Sequence, residues 1–241
     1  MKLSSQDTQN LQNILTTCAL VGIESILFEE GKVRGATESN TCIMISDTGI
    51  PAFSQKIGLS KISSLKQRLD AFVGNSSLII DAKESDKGEI SSLDISAGKN
   101  KVQFRCTSTR IIKPPKGVND PTAFKISATK DEMKMILNAV KVMSAEKVEI
   151  VIKKGGEVSF SLADTNNDIF LVVLENQAKK VSEEDLDSVV HYYDASVFAS
   201  VIRNTSDAEV LSIGGAGTIR VKVNGHELIL MARVNDDEME D

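Results

Sequence analysis

The stretch Thr129–Ala163 combines one amphipathic helix with a β-hairpin and reads TKDEMKMILNAVKVMSAEKVEIVIKKGGEVSFSLA. Thr129 and Glu132 have the spacing of a capping box, and the apolar residues that follow recur at helical intervals. Two strand-like segments then flank Gly155-Gly156, a pair that favours a tight turn. The second segment alternates apolar and hydroxyl residues, as a strand with one buried face does. The stretch therefore predicts a helix packed on antiparallel strands.

The same combination recurs along the chain, which predicts an internal duplication. Helical stripes are found in four segments, namely Ser5–Cys18, Lys61–Phe72, Lys130–Met143 and Ala195–Arg203, with Asp194 as a candidate N-cap of the last. The order helix, strands, helix, strands occurs in residues 1–109 and again in residues 123–235. Between them, residues 110–122 hold three of the four prolines and predict an extended connector. We expect an α+β fold of two similar domains, each with two helices packed on antiparallel sheets, followed by an acidic tail at 236–241.

Length and composition predict a globular protein with a substantial core. A chain of 241 residues, 41% of them hydrophobic, suits one large domain or two of ordinary size. No apolar run approaches the ~18 residues that a membrane helix needs, and the N-terminal residues lack the apolar core of a signal peptide. Cys18, Cys42 and Cys106 have neither disulfide nor zinc spacing, which predicts buried free thiols in a reducing cytosol. We therefore expect a cytoplasmic protein with no membrane contact.

The sequence contains no recognisable catalytic or metal-binding constellation. Phosphate-loop and dinucleotide motifs are absent, and the two histidines, His191 and His226, are far apart. Residues 164–168 followed by Glu175 have part of a calcium-loop spacing, but Ile169 stands where that loop needs glycine. A polar connection between two strands is the favoured interpretation. We expect no enzymatic activity, no cofactor and no metal.

The polar faces of the predicted helices are basic. In the third helix, Lys130, Lys134 and Lys141 fall on one face opposite the apolar stripe. The candidate phosphate-facing set, taken over all four helices, is Lys61, Lys66, Arg68, Lys130, Lys134, Lys141 and Arg203. For any single helix, an ordinary solvated face is the alternative interpretation. Repetition of basic and amide faces on equivalent helices favours a shared phosphate-facing surface.

The formal net charge of −6 does not exclude such a surface. Residues 236–241 carry five acids and residues 183–187 carry four, so the rest of the chain is net positive. Acids within the four helical segments fall mainly in first turns or caps, where the helix dipole favours them. The total charge thus indicates an acidic exterior, while the helix faces are basic.

Four segments resemble parts of one known family. The opening MKLSSQDTQNLQN is similar to a phage clamp N-terminus, and residues 31–33 with 38–40 resemble the following part of a first domain. Residues 126–168 resemble the start of a second domain, and residues 231–238 resemble a closing strand with an acidic tail. The family is that of the DNA sliding clamps, which includes the phage clamps and the eukaryotic proliferating cell nuclear antigen. The resemblance covers essentially the whole chain and rests on the order of elements.

This resemblance implies a six-domain ring made by a homotrimer. Helices would line the hole around double-stranded DNA, and sheets would form the outside. A ring holds DNA topologically, so its phosphate contacts need no sequence specificity. The implied function is a sliding clamp that tethers the replicative DNA polymerase, in the host-cell cytoplasm if the chain comes from a phage. The alternative is a monomeric processivity or adaptor protein that binds DNA through a basic helix face without closing a ring.

The resemblance also implies a subunit interface and a partner groove. The interface maps to residues 101–106 against 169–174, with Lys101, Val102, Phe104, Cys106, Ile169, Phe170 and Val172 as candidate contacts. The DNA polymerase and the clamp loader would bind by short peptides in a groove at Thr41, Ile111, Ile112, Ala232, Arg233 and Val234. From the residues alone, Phe104 and Ile169 fit ordinary core positions equally well. Ile111 and Ile112 fit equally a loop that is pinned to the sheets.

Overall fold

The structure is a computed structural model of the chain, and it divides into two compact units. It describes residues 2–51, 53, 55–72, 78–85, 89–181, 188–205 and 210–233. The first unit comprises Met1–Ser39 with Ile43–Gly117, and the second comprises Asn40–Cys42 with Val118–Asp241. The two acidic stretches at 183–187 and 236–241, together with Val234, lie outside the described residues.

The first unit contains two helices and seven strands among its described residues. The helices are α1 (Ser5–Val21) and α2 (Ile62–Asp70). The strands form two antiparallel sheets, β3-β2-β1-β4 and β5-β6-β7. Their bounds are β1 (Ser25–Glu29), β2 (Lys32–Ala36), β3 (Cys42–Asp47), β4 (Ile57–Ser60), β5 (Leu78–Glu84), β6 (Ile90–Ala97) and β7 (Asn100–Arg105).

The second unit contains two helices and nine strands among its described residues. The helices are α3 (Lys130–Val142) and α4 (Ala195–Asn204). The strands are β8 (Thr122–Ser127), β9 (Lys147–Ile152), β10 (Val158–Ala163), β11 (Ile169–Val173), β12 (Lys179–Lys180), β13 (Val189–Asp194), β14 (Val210–Gly214), β15 (Ile219–Val223) and β16 (His226–Leu230). They form two antiparallel arrays, β11-β10-β9-β13 and β12-β8-β14-β15-β16.

The two units repeat one arrangement, which confirms the predicted α+β class with two similar domains. The order β3-β2-β1-β4 in the first unit corresponds to β11-β10-β9-β13 in the second, and β5-β6-β7 corresponds to β14-β15-β16. The second unit adds β8 and β12 beside β14. In each unit the two helices contact one another, α1 with α2 and α3 with α4.

Local signals fix where three of the helices begin. Ser4 and Asp7 form a capping box at α1, and the predicted box of Thr129 and Glu132 is present at α3. The Asp194 side chain caps α4 by accepting from the Val197 N–H, as predicted. None of the described helices has both the length and the apolar character needed to cross a membrane.

Each helix buries its apolar stripe in the core of its own unit. Leu11, Ile14 and Leu15 of α1 have no exposed surface, and Phe198 of α4 is equally buried. In the second unit the Phe160 and Phe198 ring centroids lie 6.3 Å apart. Burying one large apolar side chain contributes about 1.5–3 kcal/mol to stability. The opposite faces of the helices are therefore the polar ones.

Hairpin turns with left-handed backbone set the register of the strands. Glu30 and Gly31 have φ of 53° and 75° between β1 and β2, and Asn224 and Gly225 have φ of 51° and 82° between β15 and β16. Two successive left-handed residues give the turn whose twist matches paired strands. In the sequence, Glu30-Gly31 and Asn224-Gly225 are turn pairs that each predict a hairpin, and the structure confirms both.

The sequence predicts twelve of the sixteen described strands, and it does not predict β4, β8, β12 and β13. In β4, Gly58 interrupts the apolar pattern, yet its backbone pairs with Thr107 after β7. The Thr107 N–H donates to the Gly58 carbonyl at 2.8 Å. Glycine is required here because a Cβ at position 58 would overlap the Thr107 carbonyl oxygen and press on Ile112.

We expect Gly58→Ala to lower the free energy of unfolding by about 1–3 kcal/mol, the usual cost of overpacking. Urea unfolding monitored by circular dichroism measures this loss. Gly117→Ala is the matched control, because a Cβ at that position meets no atom within 4 Å. Equal stability of the two variants would contradict a close backbone approach at Gly58.

Candidate nucleic-acid interface and strand edges

Helix α3 presents the predicted lysine face. Lys130, Lys134 and Lys141 are exposed, while Met133 and Ile136 are buried on the opposite side. The exposed acid of the first turn, Asp131, lies at the helix N-terminus, where the dipole favours it. The face formed by the three lysines is therefore basic.

Arg203 extends this basic face from α4 towards α3. Its Nη2 donates to the Leu137 carbonyl of α3 at 2.9 Å, and the side chain is otherwise exposed. The contact holds the guanidinium beside α3 rather than leaving it on α4 alone. Within the second unit, the structure thus brings four of the seven predicted cations onto one pair of helices.

The three predicted cations of α2 have different surroundings. Lys66 Nζ lies 2.6 Å from Asp70 Oδ2, so it has an acidic partner one helical turn away. The Arg68 guanidinium lies over the Phe104 ring, 5.6 Å from its centroid, and faces β7. Lys61 precedes the helix with φ 57° and ψ 49°, a left-handed conformation that costs a non-glycine residue about 1–2 kcal/mol. The structure therefore does not gather all three side chains: Lys61 and Arg68 line one cavity, whereas Lys66 pairs with Asp70.

Helix α1 contributes amides in place of charges. The Gln6 side chain donates to Asn10 at 3.0 Å, and Gln9 donates to Asn13 at 3.1 Å. Such pairs one helical turn apart stabilise a helix by about 0.2–0.5 kcal/mol. The first unit thus offers a neutral polar helix where the second offers a lysine-rich one.

The two strands predicted to join subunits are both sheet edges. Among the described residues, β7 pairs only with β6, and β11 pairs only with β10. Phe104 of β7 is 5% exposed and packs inside its own unit, whereas Ile169 of β11 is 70% exposed. Unpaired backbone groups along an edge form a template for another strand.

Glu132 connects the lysine helix to edge strand β11. Its carboxylate accepts from the Thr129 N–H at 2.6 Å, from the Thr129 hydroxyl at 2.8 Å and from the Glu175 N–H at 2.7 Å. Burial disfavours the charged form, but these donors outweigh it and hold the pKa of Glu132 below its usual range. One carboxylate therefore fixes both the start of α3 and the end of the β11 segment.

The predicted groove positions fall in both units. In the first unit, Ile112 is buried against Gly58, while Ile111 is 72% exposed. In the second unit, the Thr41 carbonyl accepts from the Met231 N–H at 3.0 Å. Ala232 lies beside Gly217, and the Arg233 N–H donates to the Tyr192 carbonyl at 2.7 Å. Ile112 is thus pinned, and the preceding Ile111 is accessible.

Sequence reasoning missed a polar cluster at the end of the connector. The Asp120 carboxylate accepts from the Ala216 N–H, the Thr218 N–H and the Thr218 hydroxyl at 2.8–3.1 Å. Burial opposes ionisation, yet these donors keep the pKa of Asp120 below its usual range. His191 lies against Gly217 in the same unit, and its buried Nε2 has no hydrogen-bond partner among the described residues. Asp120 preceding a proline was the only sequence signal for this cluster.

The acidic turn at 164–168 is a strand connection, as favoured from the sequence. Asp164 Oδ1 accepts from the Asn166 N–H at 2.8 Å and from the Asp168 N–H at 2.9 Å, which closes the turn between β10 and β11. Within the part of the chain that the structure describes, no group of three or more metal-ligating side chains is found.

These features define a class of fold, a duplicated unit in which paired helices pack on antiparallel sheets with open edges. The fold is that of the DNA sliding clamps. The PCNA of A. fulgidus, solved with the C-terminal region of FEN-1, has a TM-score of 0.62 and 14% identity, covering 98% of this chain and 99% of that chain. In the PCNA2–PCNA3 complex of Sulfolobus tokodaii, the matched chain has a TM-score of 0.58 and 13% identity, with 97% and 99% covered.

A bacterial structure has the same fold over a longer chain. The beta clamp of H. pylori has a TM-score of 0.66 and 13% identity, and the match covers 98% of this chain but 64% of that one. No protein-family model and no curated protein sequence matches the chain. At identities of 13–14%, the likeness establishes the fold.

We expect Glu132→Gln to lower the free energy of unfolding at neutral pH by about 1–2 kcal/mol, because a carboxylate with three donors is replaced by an amide. The folded pKa of Glu132 is depressed, so its contribution is complete above the unfolded pKa and is lost as pH falls through the folded value. Urea titrations at pH 7 and pH 3 should show a difference that shrinks at pH 3. Glu146→Gln, at an exposed position, is the control. A difference that persists unchanged in acid would refute the role of the ionised carboxylate.

Proposed function

We propose that the chain is a DNA sliding clamp, which encircles duplex DNA and tethers a DNA polymerase for processive synthesis. The observation that carries this proposal is the lysine face of α3 in a chain whose whole length has the clamp fold. The proposed role is that of a scaffold without catalytic activity. The proposed domains are those predicted from the sequence: clamp domains at 1–109 and 123–235, a connector at 110–122 and an acidic tail at 236–241.

The proposed DNA surface centres on the second unit. Lys130, Lys134 and Lys141 lie along α3, and Arg203 adds a fourth cation beside them. Lysine contacts with phosphates are salt-dependent and carry no sequence information, which suits a protein that moves along DNA. The amide face of α1 fits such a surface, because amides bind phosphates without holding them strongly.

The proposed assembly is a homotrimer joined edge to edge, with β7 of one copy against β11 of the next. Both strands are edges in their own units, and apolar side chains lie on both. The two edges also differ in charge: β7 carries Lys101 and Arg105, whereas Asp168 and Glu175 flank β11. Antiparallel pairing would bring these opposite charges together and would satisfy the open backbone groups.

The proposed partners of the groove are short peptides of the polymerase and the clamp loader. Ile111 is exposed in a connector that Ile112 pins to its own unit, so the connector presents an apolar side chain in a fixed place. The A. fulgidus PCNA was solved with the C-terminal region of FEN-1, which is a precedent for peptide binding on this fold. Thr41, Ala232, Arg233 and Val234 stay predicted groove positions, as the sequence resemblance implies.

We expect the triple variant Lys130→Ala, Lys134→Ala, Lys141→Ala to bind linear duplex DNA more weakly, with a shallower salt dependence. Each lost phosphate contact should reduce the slope of log K against log salt by about 0.9. Fluorescence anisotropy over a series of salt concentrations measures the slope. Polymerase processivity on primed circular DNA should fall, while the oligomeric mass should stay unchanged.

The matched control removes three exposed lysines from strands and turns, Lys32, Lys99 and Lys222. It changes the net charge by the same amount, so a purely long-range electrostatic effect would weaken DNA binding equally in both variants. Equal salt slopes in the control and in the α3 variant would place the DNA surface elsewhere.

We expect the wild-type protein to sediment as a trimer at micromolar concentration. Gln103→Pro should reduce this mass, because proline in edge strand β7 removes a backbone donor and blocks pairing with another strand. Analytical ultracentrifugation measures the mass, and circular dichroism establishes that the variant is folded. A monomeric wild-type protein over the whole micromolar range would contradict the ring.

A further inference from the structure

A cation-lined cavity of about 450 Å³ lies in the first unit, between the start of α2 and strand β7. Its charged lining residues are Lys61, Arg68 and Arg105, and none of the described residues that line it is acidic. Three positive charges that share one concave surface repel one another. An anion that enters the cavity would relieve this repulsion.

The cavity is preorganised rather than formed by mobile side chains alone. The Arg68 guanidinium is held over the Phe104 ring and lies 3.4 Å from the Gln103 carbonyl. The left-handed backbone of Lys61 directs the chain sharply into α2. No acidic side chain of the described residues forms an ion pair with Lys61 or Arg105. The three charges are therefore in place without an acidic partner among the described residues of the same unit.

The second unit carries an exposed carboxylate, whose charge is opposite to that of the cavity. Asp164 uses its carboxylate inside the turn before β11, where it accepts two backbone N–H groups. Asp168, immediately before β11, is exposed, and its carboxylate makes no ion pair with the described residues. A fixed turn thus presents one unpartnered carboxylate at the beginning of an edge strand.

Strand alternation determines which way Asp168 points when two edges pair. In β11, Val172 is buried against its own unit, so Phe170 and Asp168 share that face by the period of two. In β7, Phe104 is buried on the side of α2. Opposed residues in an antiparallel pair share a face, and the beginning of β11 meets the end of β7. Asp168 would therefore point to the α2 side, at the level of the cavity.

We propose that Asp168 of one copy of the chain enters this cavity of a second copy and pairs with Lys61 and Arg68. The inference rests on the proposed edge-to-edge assembly and names the ionic contact that sets its register. If the pairing of β7 with β11 slipped by two residues, the carboxylate would move away from the cations. A slip of one residue would turn it to the opposite face. The contact assigns Lys61 and Arg68 to subunit joining instead of DNA.

The test compares the self-association of five proteins, the wild type and four variants, by analytical ultracentrifugation at fixed salt. Asp168→Asn and Lys61→Gln should each raise the dissociation constant about tenfold, as expected for loss of one charge-assisted contact. In the double variant the dissociation constant should rise by much less than the product of the two single factors, because both changes remove the same interaction. Glu38→Gln, at an exposed acid away from both edges, should associate like the wild-type protein.

Three results would overturn the proposal in distinguishable ways. If the wild-type protein assembles and Asp168→Asn assembles equally well, the ionic contact is wrong and the clamp proposal stands. If the two single effects simply multiply in the double variant, Asp168 and Lys61 do not pair. If the wild-type protein is monomeric throughout, the assembly itself fails and the contact fails with it. Circular dichroism of each variant establishes that the loss of assembly is not a loss of folding.

Discussion

Burial of one face of each helix against antiparallel strands is the interaction on which the remaining structure depends. Leu11, Ile14 and Leu15 on α1 are fully buried, as are Ile136 on α3 and Phe198 on α4. Burial at this scale fixes the rotation of each helix about its axis. The lysines of α3 are exposed because they lie opposite its buried stripe. Strands β7 and β11 are edges because, among the described residues, each pairs with only one other strand.

The sequence was sufficient to predict elements that carry their own local signals. The capping box of Thr129 and Glu132, the cap at Asp194 and the turn at Asn224-Gly225 depend on residues within a few positions, and all three are present. The strands that were missed lack such signals. In β4 only two apolar residues flank Gly58, too few to define a period, and β12 has only two residues, so the sequence gives no local signal for either strand.

In the candidate site too, some features follow from local sequence and others only from contacts between distant residues. The face of Lys130, Lys134 and Lys141 follows from helical spacing, because positions four and seven apart share a side of the helix. The surroundings of Arg68 and Arg203 do not follow from spacing. Arg68 contacts Phe104 and Arg203 contacts Leu137, residues distant in sequence that only the folded chain brings close. Helical spacing alone therefore does not determine which basic side chains share one exposed face.

The position of the acids explains how an acidic chain presents basic helices. Asp7, Glu132 and Asp194 each turn a carboxylate oxygen to backbone N–H groups at a helix start. Helix α2 has no acid in its own first turn, and Glu24 accepts from the Ser63 N–H there instead. These carboxylates satisfy donors that would otherwise lack partners, and they lie at helix ends instead of between the lysines. The net charge of −6 is thus a sum over separate places, and the field along α3 depends on where the acids are fixed.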